Sequence, residues 1–170
     1  KDNCKTHADS VAYLNTLKDL HAKNPQNERF FGMMIDYYSK PWMAAEKKVW
    51  LDDEIAKNPQ NKMVWALKGE LLMNDEKWDD AVEAYKKAVE IDPQFVQVIF
   101  NIGISLNSKA IALKDQLADK ATGRLTVENN NKILDVLKES KGYLEKLKDM
   151  DPNQEKTRWA YPLYQIYYSL

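Results

Sequence analysis

The sequence predicts an all-α fold in which antiparallel pairs of short helices stack along the chain. The hexapeptide AKNPQN occurs at residues 22–27 and again at residues 56–61. Pro25, Pro59 and Pro93 follow one another at intervals of 34 residues. Between these prolines, apolar residues recur at helical spacing, and a unit of this length accommodates two short helices. One such pair cannot bury its own apolar face, so neighbouring pairs have to stack on it.

The best-defined unit is the one that ends at the third of these prolines. It resembles a tetratricopeptide repeat, whose pattern is W-x2-L-G-x2-Y on the first helix, then A-x3-F and a closing proline on the second. The residues at the matching places are Trp65, Gly69, Ala81, Tyr85, Ala88 and Pro93. Lys68 and Leu72 stand where the family has Leu and Tyr. Gly69 and Ala81 are small where the two helices are expected to cross, and Pro93 cannot continue the second helix.

The resemblance implies an all-α, right-handed α-solenoid of antiparallel helix pairs, with residues 1–170 forming a single domain. We divide the chain into residues 1–27 as the second helix of a partial repeat or an N-terminal cap, 28–61 as a degenerate repeat, 62–95 as the best-matching repeat, 96–154 as a repeat with about 25 inserted residues, and 155–170 as a C-terminal capping helix. The first residue is Lys rather than Met, which favours a piece of a longer array over a cap.

The degenerate repeat departs from the pattern at several positions. Phe31 replaces the family's Trp, and Pro41 interrupts the chain before the second helix. That helix is expected to begin near Trp42 and to be shifted by up to a turn. Trp42 and Trp50 are therefore expected to lie partly exposed.

The third full repeat contains the insertion. Pro152 follows Pro93 by 59 residues, which is one period and 25 more. Helical spacing continues through Leu117, breaks at residues 122–124, and resumes after Thr126, which suits an N-cap. Shared between two helices, the insertion extends each by about 12 residues, or about 18 Å. The sequence thus predicts an extended helical hairpin around residues 104–135, either a recognition arm or an element packed on the molecule itself.

The last segment is rich in aromatic residues, with a proline among them. Pro162 either kinks the closing helix or lies in its first turn. Aromatic residues at helical spacing are typical of a core face, and the outer face of this helix is the alternative place for tyrosines that contact a partner.

Composition and motifs exclude several classes of function. The net charge is −1, and Lys and Arg alternate with acids, so no nucleic-acid surface is expected. No uninterrupted apolar run approaches the roughly 20 residues that cross a bilayer, so no membrane insertion is expected. His7 and His21 have no metal-ligand spacing around them, and no catalytic or phosphate-binding motif occurs. We therefore expect no cofactor, no metal and no enzymatic activity.

The resemblance also implies a groove, because in this family the first helix of each pair lines a concave surface that holds a peptide or helix of another protein. The residues placed on that surface are Arg29, Met33, Asp36, Met63, Leu67, Glu70, Met73, Gln97, Phe100, Asn101 and Ile104. This face is apolar with an acidic edge, and its methionines suit an irregular partner. The alternative is that these side chains pack against the protein's own helices.

Some members of the family bind the C-terminal tails of chaperones through Lys, Asn and Arg on the concave helices. Here Gly32, Asp36, Leu67 and Gln97 occupy those places, and Asn101 is the single suitable donor. The sequence therefore argues against chaperone tails and for an apolar or basic segment.

These observations predict a non-enzymatic scaffold for protein–protein interaction, whose partner is not identified. The alternative is a structural segment of a larger chain or homo-oligomer, with the groove filled by its own polypeptide. The long hairpin and the tyrosine-rich end resemble bacterial members of the family, which favours an exported or periplasmic location over a cytoplasmic one.

Overall fold

A computed structural model of the chain describes residues 7–24 and 27–170, and it is helical throughout, with no strand among the residues it describes. The α-helices are α1 His7–Lys23, α2 Glu28–Tyr38, α3 Ala44–Lys57, α4 Lys62–Asn74, α5 Trp78–Ile91, α6 Val96–Leu117, α7 Val127–Met150 and α8 Ala160–Ser169, with a 3-10 turn at Pro41–Met43. The predicted all-α class is confirmed. Pro25, the first of the periodic prolines, lies outside the described residues.

The chain divides into two compact units, an N-terminal unit of Lys1–Asp52 and a C-terminal unit of Asp53–Leu170. The boundary falls within α3. In the C-terminal unit α4 packs on α5, α5 on α6, α6 on α7 and α7 on α8. This succession of neighbouring helices is the stacking that the repeat pattern predicts.

Aromatic rings hold the N-terminal unit together. The rings of Tyr38 and Trp50 stack with centroids 4.5 Å apart, and Phe31 lies 5.6 Å from Trp50. Trp50 is only 4% exposed, so the expectation that it would lie partly exposed is wrong: its ring fills the space between α2 and α3. Trp42 is 69% exposed, as expected.

The repeated hexapeptide AKNPQN ends in an asparagine that starts the next helix. Asn27 caps α2 by accepting a hydrogen bond from the backbone N–H of Arg29 at 3.1 Å. Asn61 caps α4 in the same way, through the N–H of Met63 at 3.0 Å. Both caps have extended backbone, as N-cap residues usually do. The repetition in sequence is thus a repetition of helix starts.

The end of α5 follows from its closing proline. Asp92 is extended, with φ −132° and ψ 93°, directly before Pro93. Its carboxylate accepts from the backbone N–H of Gln94 at 3.0 Å and pairs with the Lys62 ammonium at 2.5 Å. The last turn of α5 is thereby tied to the first residue of α4.

The predicted hairpin is present. Helices α6 and α7 have 22 and 24 residues, whereas α4 and α5 have 13 and 14. Thr126 is the N-cap of α7, since its hydroxyl accepts from the N–H of Asn129 at 3.1 Å. In the connecting turn Gly123 has φ +67°, a conformation that glycine adopts without strain. The two helices pack along their length, and the buried hydroxyl of Ser140 donates to the carbonyl of Gly103 at 2.7 Å.

Helix α6 corrects one expectation from the sequence. Among the described residues it is long and apolar enough to cross a membrane by length and composition, with mean hydropathy 1.3. In the folded chain 44% of that stretch is buried, which includes Ile102, Leu106 and Ala110. Its apolar character therefore supplies the core between α5 and α7.

Candidate functional site

The C-terminal unit is organised around a close approach of α4 and α5. The ring of Tyr85, on α5, is fully buried against Gly69 of α4. A Cβ atom at position 69 would lie 2.5 Å from two of the ring carbons, closer than real contacts allow. Only glycine therefore fits here, and the close approach directs the Tyr85 side chain between α4 and α6.

The hydroxyl of Tyr85 joins the two helices on either side of it. It lies 4.0 Å from the sulfur of Met73, on α4, and accepts a long hydrogen bond of 3.5 Å from the Asn101 amide, on α6. Burial raises the pKa of Tyr85, and the negative charge of Glu70 raises it further, although the Asn101 hydrogen bond opposes both. The hydroxyl is therefore neutral across the physiological range and lies in contact with both Met73 and Asn101.

Four predicted groove residues follow one face of α4. Met63 is 37% exposed and Glu70 is exposed, while Met73 is half-buried against the core. Leu67 is only 8% exposed, so most of its side chain already contacts the protein itself. For Leu67 the structure thus favours the alternative of internal packing.

The corresponding face of α6 borders a cavity of about 390 Å³. Gln97, Phe100 and Asn101 line it from α6, and the loop of residues 154–158 lines it from the other side. Gln97 is exposed, while Phe100 is half-buried and packs on the core between α6, α7 and α8. Ile104 lies one helical turn beyond Phe100 and is half-buried. We refer to Met63, Glu70, Met73, Gln97, Asn101 and Ile104 together as the α4–α6 surface.

The loop that lines this cavity is shaped by one buried carboxylate. Asp151, at the end of α7, accepts hydrogen bonds from the backbone N–H groups of Glu155, Lys156 and Thr157 at 2.8 to 3.2 Å, and from the Thr157 hydroxyl at 2.8 Å. Burial alone would raise the pKa of Asp151, but these hydrogen bonds outweigh it and hold that pKa below its usual range. Because the loop occupies these residues, α8 begins at Ala160 rather than near residue 155, with Pro162 in its first turn.

Two cationic residues of this loop line the cavity. Lys156 and Arg158 are exposed, and neither forms an ion pair with any residue that the structure describes. Glu155 also lines the cavity, and its carboxylate accepts a long hydrogen bond from Asn153 at 3.5 Å. Reasoning from the sequence missed these loop residues because they lie outside the helix positions that the family pattern marks. The Asp-Pro pair at residues 151 and 152, which repeats the pair at residues 92 and 93, marks the end of α7 but does not distinguish a loop from an immediate helix start.

The remaining predicted groove residues belong to the N-terminal unit. Arg29 and Asp36 are exposed on α2, and Met33 is half-buried. They alternate with Met34 and Tyr37, which are buried in the core of that unit. Their part in a binding surface stays a prediction.

No metal site is evident in the described part of the chain. Over residues 7–24 and 27–170, no group of three or more His, Cys, Asp and Glu side chains is placed to hold an ion. The side chains of the α4–α6 surface offer apolar contact, amide hydrogen bonding and charge.

The helices that bring Gly69 and Tyr85 together coincide with a known repeat. Residues 63–95, which comprise nearly all of α4 and all of α5, match the family model described as the tetratricopeptide repeat. The chain contains a tetratricopeptide repeat. The tetratricopeptide repeat is a module of protein–protein interaction, and the resemblance inferred from Trp65, Gly69 and Tyr85 is confirmed.

Two curated relatives are similar over part of their length. The peroxisomal targeting signal receptor of Kluyveromyces lactis is 32% identical over 95 residues, which cover 49% of this chain and 16% of the receptor. The peroxisomal targeting signal receptor of Saccharomyces cerevisiae is 24% identical over 111 residues, which cover 62% of this chain and 18% of the receptor. The chain thus spans less than a fifth of the length of either relative. The predicted bacterial origin stays a prediction, since both relatives are yeast proteins.

One solved structure is similar over almost the whole chain. It is described as the MamA RS-1 ArsTM double mutant, and the match covers 99% of this chain and 89% of that one. The two are 14% identical, with a TM-score of 0.49.

Proposed function

We propose that this chain is a non-enzymatic scaffold that binds a segment of a partner protein on the α4–α6 surface. The observation that carries the proposal is the position of the Tyr85 hydroxyl, in contact with both Met73 and Asn101. These two contacts connect α4 and α6 through Tyr85 of α5. A surface held in place before binding loses little conformational freedom when a partner docks.

The composition of the α4–α6 surface suits an extended or helical segment with mixed side chains. Met63 and Met73 are adaptable apolar contacts, and Gln97 and Asn101 offer amide donors and acceptors. Glu70 contributes an exposed negative charge at the α4 side. Such a mixture favours a peptide whose apolar residues are interrupted by polar ones.

The names of the curated relatives support binding of a protein segment. Both are called receptors for a targeting signal. A receptor for a signal recognises part of another molecule rather than transforming it. We extend that general role to this chain, and the residues expected to carry it are those of the α4–α6 surface.

The test is an affinity capture in which the α4–α6 surface alone is altered. The immobilised wild-type chain is compared with a Met63→Glu, Glu70→Lys double variant, and captured proteins are identified by mass spectrometry. Both positions are exposed, so the helices are expected to persist, as far-ultraviolet circular dichroism would show. We avoid Leu67 because its burial would confuse lost binding with lost stability.

A matched control changes the same kind of charge elsewhere. Glu90 is exposed on α5 and lies outside the α4–α6 surface, so Glu90→Lys is expected to retain every captured protein. Proteins retained by this control and lost by the double variant would support the proposal. Equal capture by all three chains, or no capture by any, would contradict it. A stable homo-oligomer that the double variant disrupts would instead favour a structural segment, and sedimentation velocity would detect it.

A further inference from the structure

The cavity at the α6 end of the α4–α6 surface differs in charge from the rest of that surface. Lys156 and Arg158 line the cavity from the loop, whereas the charge on the α4 part of the surface is that of Glu70, which does not line the cavity. We infer that this cavity receives the carboxylate of an internal Asp or Glu side chain of the bound segment. The inference rests on the proposed function and adds to it the charge of one residue in the partner.

The two cations are available for such a contact. Neither Lys156 nor Arg158 has an ion-pair partner among the described residues, so an incoming carboxylate displaces no existing pair. An arginine and a carboxylate can form two parallel hydrogen bonds, which makes this pairing stronger than a neutral one. Glu155 reduces the positive charge at the cavity, and its carboxylate is directed to Asn153 by their hydrogen bond.

The opposite wall supplies neutral donors at the same place. Gln97 and Asn101 line the cavity from α6, and both side-chain amides can donate to a carboxylate oxygen. Asn101 is positioned by its hydrogen bond to the Tyr85 hydroxyl. Phe100 forms the apolar part of the lining, so the methylene groups of an acidic side chain also find contact. Charge, hydrogen-bond donors and apolar surface thus converge on one cavity of about 390 Å³.

The loop that carries the cations is ordered before any partner arrives. Asp151 accepts the N–H groups of Glu155, Lys156 and Thr157, and Gln154 accepts the N–H of Ala160 at 3.2 Å. These bonds hold the backbone on both sides of Arg158 and at Lys156 itself, which lowers the ordering cost of binding. The sequence favours an apolar or basic segment because of Asp36 and Glu70. The cavity modifies this expectation, since we infer that the segment also carries one acidic residue.

The experiment selects peptides without assuming a natural partner. A displayed library of random 12-residue peptides, each joined to its carrier through its C-terminus, is selected on the wild-type chain. Enriched peptides are synthesised with amidated C-termini, together with copies in which Asp or Glu is replaced by Asn or Gln. Dissociation constants are measured by fluorescence anisotropy for the wild type and for a Lys156→Gln, Arg158→Gln variant.

We expect the enriched peptides to share an acidic residue, and its replacement by the amide to weaken binding about tenfold or more. The Lys156→Gln, Arg158→Gln variant is expected to bind the acidic peptide more weakly by a similar factor and to bind the amide peptide about as well as the wild type does. That non-additivity identifies a direct pair. A Lys114→Gln, Lys120→Gln variant removes the same charge from exposed positions near the end of the hairpin, and it should bind as the wild type does.

The other outcomes separate the inference from the proposed function. Equal weakening by both charge variants would indicate attraction at a distance and would overturn the inference. The same peptides are measured on the Met63→Glu, Glu70→Lys variant. Peptides that lose binding to that variant but show no acidic preference would also overturn the inference and leave the proposed function standing. The enriched peptides are also synthesised with a free C-terminus, and much tighter binding of that form than of the amidated form would assign the cavity to a terminal carboxylate and overturn the inference. If no peptide is enriched, the proposed function and the inference fail together.

Discussion

The ring of Tyr85 lies directly against the backbone of Gly69, where a Cβ atom would come within 2.5 Å of the ring carbons. This contact brings α4 and α5 together and directs the Tyr85 hydroxyl to Met73 and Asn101. The α4–α6 surface therefore depends on a residue that has no side chain.

Replacement of Gly69 by Ala is expected to destabilise the chain by about 1–3 kcal/mol, because the added methyl group overpacks a filled site. Chemical denaturation with urea, followed by circular dichroism, measures the change. Gly142→Ala is the matched control, since nothing lies within 4 Å of a Cβ there. That variant should gain about 0.5–1 kcal/mol from helix propensity. A stable Gly69→Ala variant would mean that the contact with Tyr85 is looser than described.

Two buried serines of α6 and α7 should respond in opposite ways to replacement by Ala. Ser140 donates to the Gly103 carbonyl at 2.7 Å, and its loss should cost about 1 kcal/mol. Ser105 is equally buried, but its hydroxyl has no hydrogen-bond partner among the described residues. Ser105→Ala removes an unsatisfied polar group and is expected to be neutral or stabilising. The urea midpoints of the two variants are measured side by side. Equal losses of stability would contradict the different hydrogen bonding of Ser140 and Ser105.

The carboxylate of Asp151 should contribute to stability in a pH-dependent way. Its folded-state pKa is lowered, because hydrogen bonds from Thr157, Lys156 and Glu155 outweigh the effect of burial. The contribution is therefore complete above the unfolded-state pKa of about 3.9, and it declines as pH falls through the lower folded-state value. Asp151→Asn should be less stable at pH 7 and should lose less stability on acidification than the wild type. Urea unfolding at pH 7 and at pH 3 measures both effects.

The control for Asp151 is its exposed neighbour Asp149. Asp149→Asn keeps the carboxylate that orders the loop, so its stability profile should follow that of the wild type. If the two variants behave alike, the hydrogen bonds to Asp151 do not account for the acid sensitivity.

The hydroxyl of Tyr85 should make the chain sensitive to alkaline pH. Its folded-state pKa is raised, chiefly by burial and then by the charge of Glu70. An unfolded chain loses this proton above about pH 10 while the folded chain keeps it, so stability falls as pH rises. Tyr85→Phe removes this contribution, and its unfolding free energy should decline less between pH 9 and pH 11 than that of the wild type. Parallel declines in the two proteins would show that the hydroxyl is not protected by the fold.

Much of the helical framework follows from the sequence because its signals are local. The asparagines that end each AKNPQN copy cap α2 and α4, Pro93 ends α5, and Thr126 starts α7. Each of these features depends on the backbone geometry of a few neighbouring residues, which the residue types themselves restrict. The spacing of Pro93 and Pro152 likewise predicts the longer hairpin, since extra residues with helical spacing lengthen helices.

The sequence by itself thus determined the helical class, the repeat around Gly69 and Tyr85, and the elongation of α6 and α7. Only the tertiary structure decided which groove residues remain accessible, because burial depends on helices distant in sequence: Leu67 is covered and Glu70 is not. It also decided that residues 154–158 form a loop beside α6, since Asp151 has to be buried at the end of α7 before its carboxylate can collect their N–H groups. The cavity with Lys156 and Arg158 exists for that reason, and the spacing of apolar residues along the chain does not predict it.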